Sequence, residues 1–98
     1  MLKEIVTAIE SKSLLLFDYN EKPRVVEPHA VGYTKDHNLV LRAFQTGGDG
    51  SGWKLFSLAE VGGLTTKIAF EFDNPRPGYK PGDSVMLHVI AELRGEAA

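Results

Sequence analysis

The sequence predicts an α+β fold: an N-terminal helix, about five short antiparallel strands in a strongly bent sheet that closes toward a small barrel, and a C-terminal helix. Three observations predict it. The chain has 98 residues, close to the common size of one domain and short for two. Apolar residues make up 43% and charged residues 24%, enough apolar surface for one core and far from a disordered composition. Short alternating runs follow one another between turn clusters, with helical spacing only at the two ends. Strands this short bury their apolar sides most readily when one sheet curls around a core.

Leu2, Ile5, Val6 and Ile9 repeat at helical spacing while Lys3, Glu4 and Glu10 fall elsewhere, so residues 2–11 read as a short amphipathic helix. Ser11 and Ser13 around Lys12 break it. Residues 14–19 read as a strand that ends at the turn cluster Asn20-Glu21-Lys22-Pro23. Residues 24–33 form a second extended run. Pro28 inside it points to an edge position or a bulge, because proline donates no ladder hydrogen bond. After a polar turn at 35–38, residues 39–45 make a third strand, with Leu39, Leu41 and Ala43 on one face and Val40, Arg42 and Phe44 on the other.

Residues 46–52 hold four glycines and read as a flexible hairpin loop. A fourth strand covers 52–57, a single helical turn 58–61, and a fifth strand 64–72, where Ile68, Phe70 and Phe72 alternate. Residues 74–82 are too rich in proline and glycine for regular structure. Asp83 then reads as an N-cap. Met86, Val89, Ile90 and Leu93 read as the apolar face of a helix that Gly95 ends.

Several function classes drop out. Without cysteine there is no thiolate nucleophile, zinc thiolate site or disulfide. The longest apolar run, Leu14-Leu15-Leu16-Phe17, is far too short to cross a bilayer. The N-terminus alternates charged and apolar residues and lacks the apolar core of a signal peptide, so a cytoplasmic location is expected. A net charge of -2 gives no general attraction to nucleic acid, though it leaves room for a local basic patch.

The candidate binding residues are cations and aromatic rings. Arg42 lies between Val40 and Phe44 on one strand, and Lys54 shares a face with Phe56 on the next. If the two strands form a hairpin, both cations are expected on one surface beside aromatic rings, a setting that suits a phosphate or a stacked base. A solvated strand face is the plainer account. Trp53 is either a core anchor or a stacking platform. Arg76 and Tyr79 sit in the proline-rich loop, where stiffness would hold them in a fixed pose for a ligand or partner. The alternative is a connector that packs Tyr79 over the barrel mouth.

The glycine loop fails as a phosphate loop, because Trp53 separates Gly52 from Lys54 and a strand follows instead of a helix. His29, His37 and His88 lack metal-ligand spacing and read as surface or packing residues. Ser51 has no nucleophile-elbow context. Glu71 and Asp73 read as solvent-facing acids. No catalytic constellation, metal or cofactor is expected.

Four segments in order carry a family resemblance over most of residues 4–65. Ile5-Val6-Thr7-Ala8-Ile9 followed by Leu14-Leu15-Leu16-Phe17-Asp18-Tyr19 comes first. Arg24-Val25-Val26-Glu27-Pro28-His29 comes next. Leu39-Val40-Leu41-Arg42-Ala43-Phe44 and Lys54-Leu55-Phe56-Ser57-Leu58-Ala59-Glu60-Val61 follow. Together they resemble a WYL domain, in the form of short bacterial proteins that carry this domain alone. Leu39 and Val40 stand where that family has Trp and Tyr, Leu41 keeps the third signature position, and Lys54 and Glu60 stand at its two basic positions.

The resemblance implies an SH3-like or Sm-like β-barrel. It also implies a non-catalytic, ligand-sensing or regulatory module linked to transcription, taking a nucleotide or short nucleic acid. Arg42, Lys54 and Arg76 would contact the anion, and Phe44, Trp53 and Tyr79 would stack. The chain has no room for a helix-turn-helix, so a DNA-binding partner protein would have to supply one. The alternative is a protein-interaction or homo-oligomerisation module without a small ligand.

Overall fold

The computed structural model describes residues 1–72 and 75–94, with the side chains of 68–71 outside that description. The expectations at Ile68, Phe70, Glu71, Asp73, Asn74 and Gly95 therefore lie outside the described residues or side chains.

Helix α1 (Leu2–Ser11) buries Ile5, Ala8 and Ile9 completely along one side. It stops at Lys12, whose backbone turns left-handed with φ 54° and whose N–H bonds the carbonyls of Ala8 and Ile9, a helix-ending turn. β1 (Ser13–Tyr19) and β2 (Lys22–Tyr33) follow. Asn20 and Glu21 between them have φ of 52° and 62°. Two successive positive values make the hairpin turn whose twist matches that of the strands. β3 (Leu39–Gly47) and β4 (Gly52–Ser57) form the next hairpin. A 3-10 turn (Leu58–Glu60) leads into β5 (Gly62–Glu71), and β6 (His88–Glu92) comes last.

All ladders are antiparallel and belong to one sheet of six strands, in the order β4-β3-β2-β1-β5 with β6 on β2. The path is open: among the described residues no ladder joins β4 to β5. The inner face is the core. Leu15, Phe17, Val26, Val31, Leu41, Ala43 and Phe56 point toward α1 and join Ile5, Ala8 and Ile9. Each fully buried Ile or Leu there contributes roughly 1.5–3 kcal/mol. A second, smaller apolar cluster of Ala30, Val40 and Met86 lies on the outer face. No described helix is long and apolar enough to cross a membrane.

β2 decides the layout. Its first half pairs with β1 through Val26, and its last residues, Ala30 to Tyr33, pair with β6. Its ladder with β3 jumps from Pro28 to Ala30, so His29 is the extra residue of a bulge. The proline in this run thus marks a bulge, one of the two settings expected for it.

The C-terminal helix expected from Met86, Val89, Ile90 and Leu93 is not formed; that segment contains β6. Twelve residues of β2 outrun β1, and the exposed N–H and C=O groups along Ala30–Tyr33 need partners. Residues 88–92 supply them, and Leu93 N–H extends the pairing to the His29 carbonyl at 2.8 Å. The spacing that suggested one helical face is divided between two sides of the sheet: Leu93 joins the inner core, while Met86 joins the outer cluster. Asp83 does accept a backbone N–H, from Val85 at 3.0 Å, but it shapes a turn.

Candidate functional site

Strand register sorts the candidate residues. Arg42 pairs with Leu55, Phe44 with Trp53 and Ala43 with Lys54. Directly opposed residues share a face and neighbours alternate. Arg42, Phe44 and Trp53 are therefore on the outer face, and Lys54 is on the inner one with Ala43 and Phe56. The expected meeting of Arg42 and Lys54 on one surface is corrected here: the hairpin forms, but its register places the two cations on opposite faces.

The segment 75–87 crosses the outer face and brings Arg76 and Tyr79 to Phe44 and Trp53. Glu27 pairs with Phe44 in the β2–β3 ladder and is nearly fully buried. Its carboxylate accepts two hydrogen bonds from Arg76, at 2.7 Å from Nε and 3.0 Å from Nη2. The Arg76 guanidinium also lies 4.6 Å from the Phe44 ring centroid, where a cation is attracted to the ring face. Hydrogen bonding to Glu27, set against some desolvation, raises the Arg76 pKa further. Arg76 is thus held to the fold by Glu27, with its side chain still partly exposed.

His29 lies beneath this arrangement and is fully buried. Its ring centroid is 4.7 Å from that of Trp53, 5.0 Å from Tyr79 and 5.4 Å from Phe72. Nδ1 is 2.8 Å from the Glu27 carbonyl oxygen, and Nε2 accepts the Arg76 backbone N–H at 3.1 Å. Burial pushes the imidazole pKa down, aided by Arg76 and opposed by Glu27. Sequence reasoning read this histidine as surface or packing, and it is packing. It missed Glu27. The available signal was a charged residue beside Pro28 inside an otherwise apolar strand.

Trp53 stands above His29, half-buried, edge-on to Phe44 at 5.5 Å and stacked with Tyr79 at 6.1 Å. Its indole N–H donates to the Pro77 carbonyl at 3.3 Å. Gly78 makes that approach feasible. Its φ is 92°, and a Cβ there would stand 3.3 Å from the indole nitrogen, so a side chain would strain both backbone and contact. The Tyr79 hydroxyl donates to the Leu93 carbonyl at 2.7 Å. Burial pushes the phenol up to about 12, with Glu92 and Asp83 adding to the rise.

The hairpin that presents Trp53 is held from below. The buried Arg24 donates to Gln45 Oε1 at 3.2 Å and to the Tyr19 carbonyl at 3.0 Å, while Gln45 Nε2 donates to the carbonyls of Asp49 and Gly50. The glycine loop is a hairpin connection tied to the sheet by this pair.

Between the hairpin and the crossing segment opens a cleft of about 380 Å³, lined by Arg42 and Trp53 on one side and residues 78–84 on the other. Arg42 Nε donates to Asp83 Oδ2 at 2.7 Å and Nη2 reaches Oδ1 at 3.5 Å. Burial would raise the Asp83 pKa, but Arg42 and the Val85 N–H outweigh it and the net direction is down. Asp83 and Tyr79 are both set away from neutral pH, so neither is poised to exchange a proton there. The arrangement offers other chemistry: a flat indole, N–H donors of Arg42 beyond those on Asp83, and the exposed Lys80 in the lining. Compared with known proteins, the chain matches no family model, no curated protein and no solved structure.

Proposed function

We propose that the chain is a non-catalytic binding module that takes a planar, anionic ligand, of which a nucleotide is the best example, in the cleft between the β3–β4 hairpin and the 75–87 segment. The observation that carries this reading is the presence of Arg42, Trp53 and Tyr79 on one cleft whose volume is about 380 Å³. Ligand sites run from about 300 to 1,000 Å³ and combine apolar walls with a few polar groups. A base would stack on Trp53, as bases do on aromatic platforms. Its phosphate would meet Lys80 and the N–H groups that Arg42 does not spend on Asp83. Arg76 and Phe44 support the wall behind Trp53, and Lys54 has no part in this site.

The antiparallel sheet that presents the cleft packs against α1, and an SH3-like or Sm-like barrel of WYL type is the finer reading of it that follows from the resemblance. A ligand-sensing role in transcription, with a separate DNA-binding partner, extends that resemblance. The test is a two-dimensional amide NMR titration with adenosine and guanosine monophosphates. Shifts should concentrate at residues 53 and 78–84. Lys80→Gln should weaken binding by about 2- to 5-fold, as expected for one exposed charge worth about 0.5–1 kcal/mol. A folded protein whose cleft signals stay still would refute the reading.

A further inference from the structure

We propose that His29 is an acid-released latch on the cleft: while neutral it accepts the Arg76 N–H and holds the 75–81 segment against the sheet, and on protonation it lets that segment go. The geometry allows the ring one protonation state. Nδ1 faces the Glu27 carbonyl, which only accepts, so Nδ1 carries hydrogen. Nε2 faces the Arg76 N–H, which only donates, so Nε2 must be bare. A proton added at Nε2 sets two N–H groups against each other and cuts the tie between the Arg76 backbone and the sheet. The new imidazolium also repels the Arg76 guanidinium, which lies close enough to oppose the ring's charge.

The charged groups that face the ring among the described residues are Glu27 from β2 and Arg76 from the crossing segment. Tyr79 from that segment is a neutral phenol bonded to the Leu93 carbonyl. Trp53 from β4 and Phe72 after β5 contribute only uncharged rings. Burial and Arg76 oppose the protonated ring and Glu27 favours it, so the switch lies on the acid side of an ordinary histidine. Release reaches the cleft directly. Pro77 holds the Trp53 indole N–H, and residues 78–84 are the cleft wall. The latch stands on these contacts alone; its effect on a ligand rests on the cleft reading.

The test is an NMR pH titration of the free, wild-type protein from neutral to mildly acid pH. It follows the His29 ring, the Arg76 amide, the Trp53 indole N–H and the exchange protection of the Leu41 amide in the core. The Arg76 and Trp53 signals should move with the His29 midpoint, on the acid side of an ordinary histidine, while Leu41 stays protected. His29→Gln, whose side-chain oxygen accepts the same N–H without titrating, should abolish the transition; if that variant does not fold, the wild-type titration decides alone. Three results would overturn the latch: a His29 ring that titrates while Arg76 and Trp53 stay still, a segment that moves with the carboxylates, or Leu41 protection lost at the same midpoint. Adenosine monophosphate added across the same range separates the two proposals. Affinity that falls through the His29 midpoint ties the latch to the cleft, affinity that ignores it overturns that control, and no binding at any pH sinks the cleft reading alone.

Discussion

At the scale of single residues, His29 and its partners give a sharp expectation for stability. In the unfolded chain the ring titrates at its ordinary value of about 6.5. In the folded chain its pKa is lowered, so below that ordinary value the unfolded state binds more protons. Stability is therefore fully present above about pH 6.5, falls as pH drops toward the lowered folded value, and levels off below it as far as this group is concerned. Urea unfolding measured at several pH values should show that slope in the wild type and lose it in His29→Gln. Arg42, Trp53 and Tyr79, which line the cleft, were legible as candidates, because flat rings and cations at hairpin and loop positions suggest recognition. Arg76 was legible as a placed residue but not as an occupied one, since its partner Glu27 lies 49 residues away and no local pattern joins them. Lys54 misled for a different reason: alternation along each strand was readable, but the offset between strands was not, and a one-residue offset exchanges faces.

At the scale of elements, β1 through β5 were readable, because each combines alternation with a flanking turn signal. The last element was not. Residues 86–93 satisfy helical spacing, and over so short a stretch that spacing does not distinguish helix from strand. What decides the outcome is the unpaired edge of β2, a demand set by a segment more than fifty residues earlier in the chain. Gly32 is the contact where this pairing is tightest. A Cβ there would stand 2.3 Å from the His88 carbonyl oxygen and 3.1 Å from the Met86 sulfur. Gly32→Ala should therefore cost about 1–3 kcal/mol, the usual range for overpacking, and thermal unfolding would measure it. Amide exchange should place the loss in β6, with protection weakened at residues 88–92 ahead of β1. Wild-type stability in Gly32→Ala would contradict the close packing of β6 on β2.

At the scale of the whole molecule, the chain divides its two sheet faces by task. The inner face holds α1 and most of the apolar core. The outer face carries a small apolar cluster, two buttressed ion pairs and the cleft. Composition announced a one-core domain but not this division, because both faces of β3 carry apolar residues and only the crossing segment shows which one carries the cleft. Trp53 is the single tryptophan of the chain and forms a wall of the cleft, so its fluorescence reports occupancy without a label. The most direct measurement is a titration of that fluorescence with adenosine monophosphate at low and moderate salt. The account predicts a saturable change whose affinity weakens as salt rises, because exposed charges such as Lys80 are screened beyond about 8–10 Å at these ionic strengths. A folded protein whose Trp53 emission ignores millimolar nucleotide at either salt concentration would contradict it.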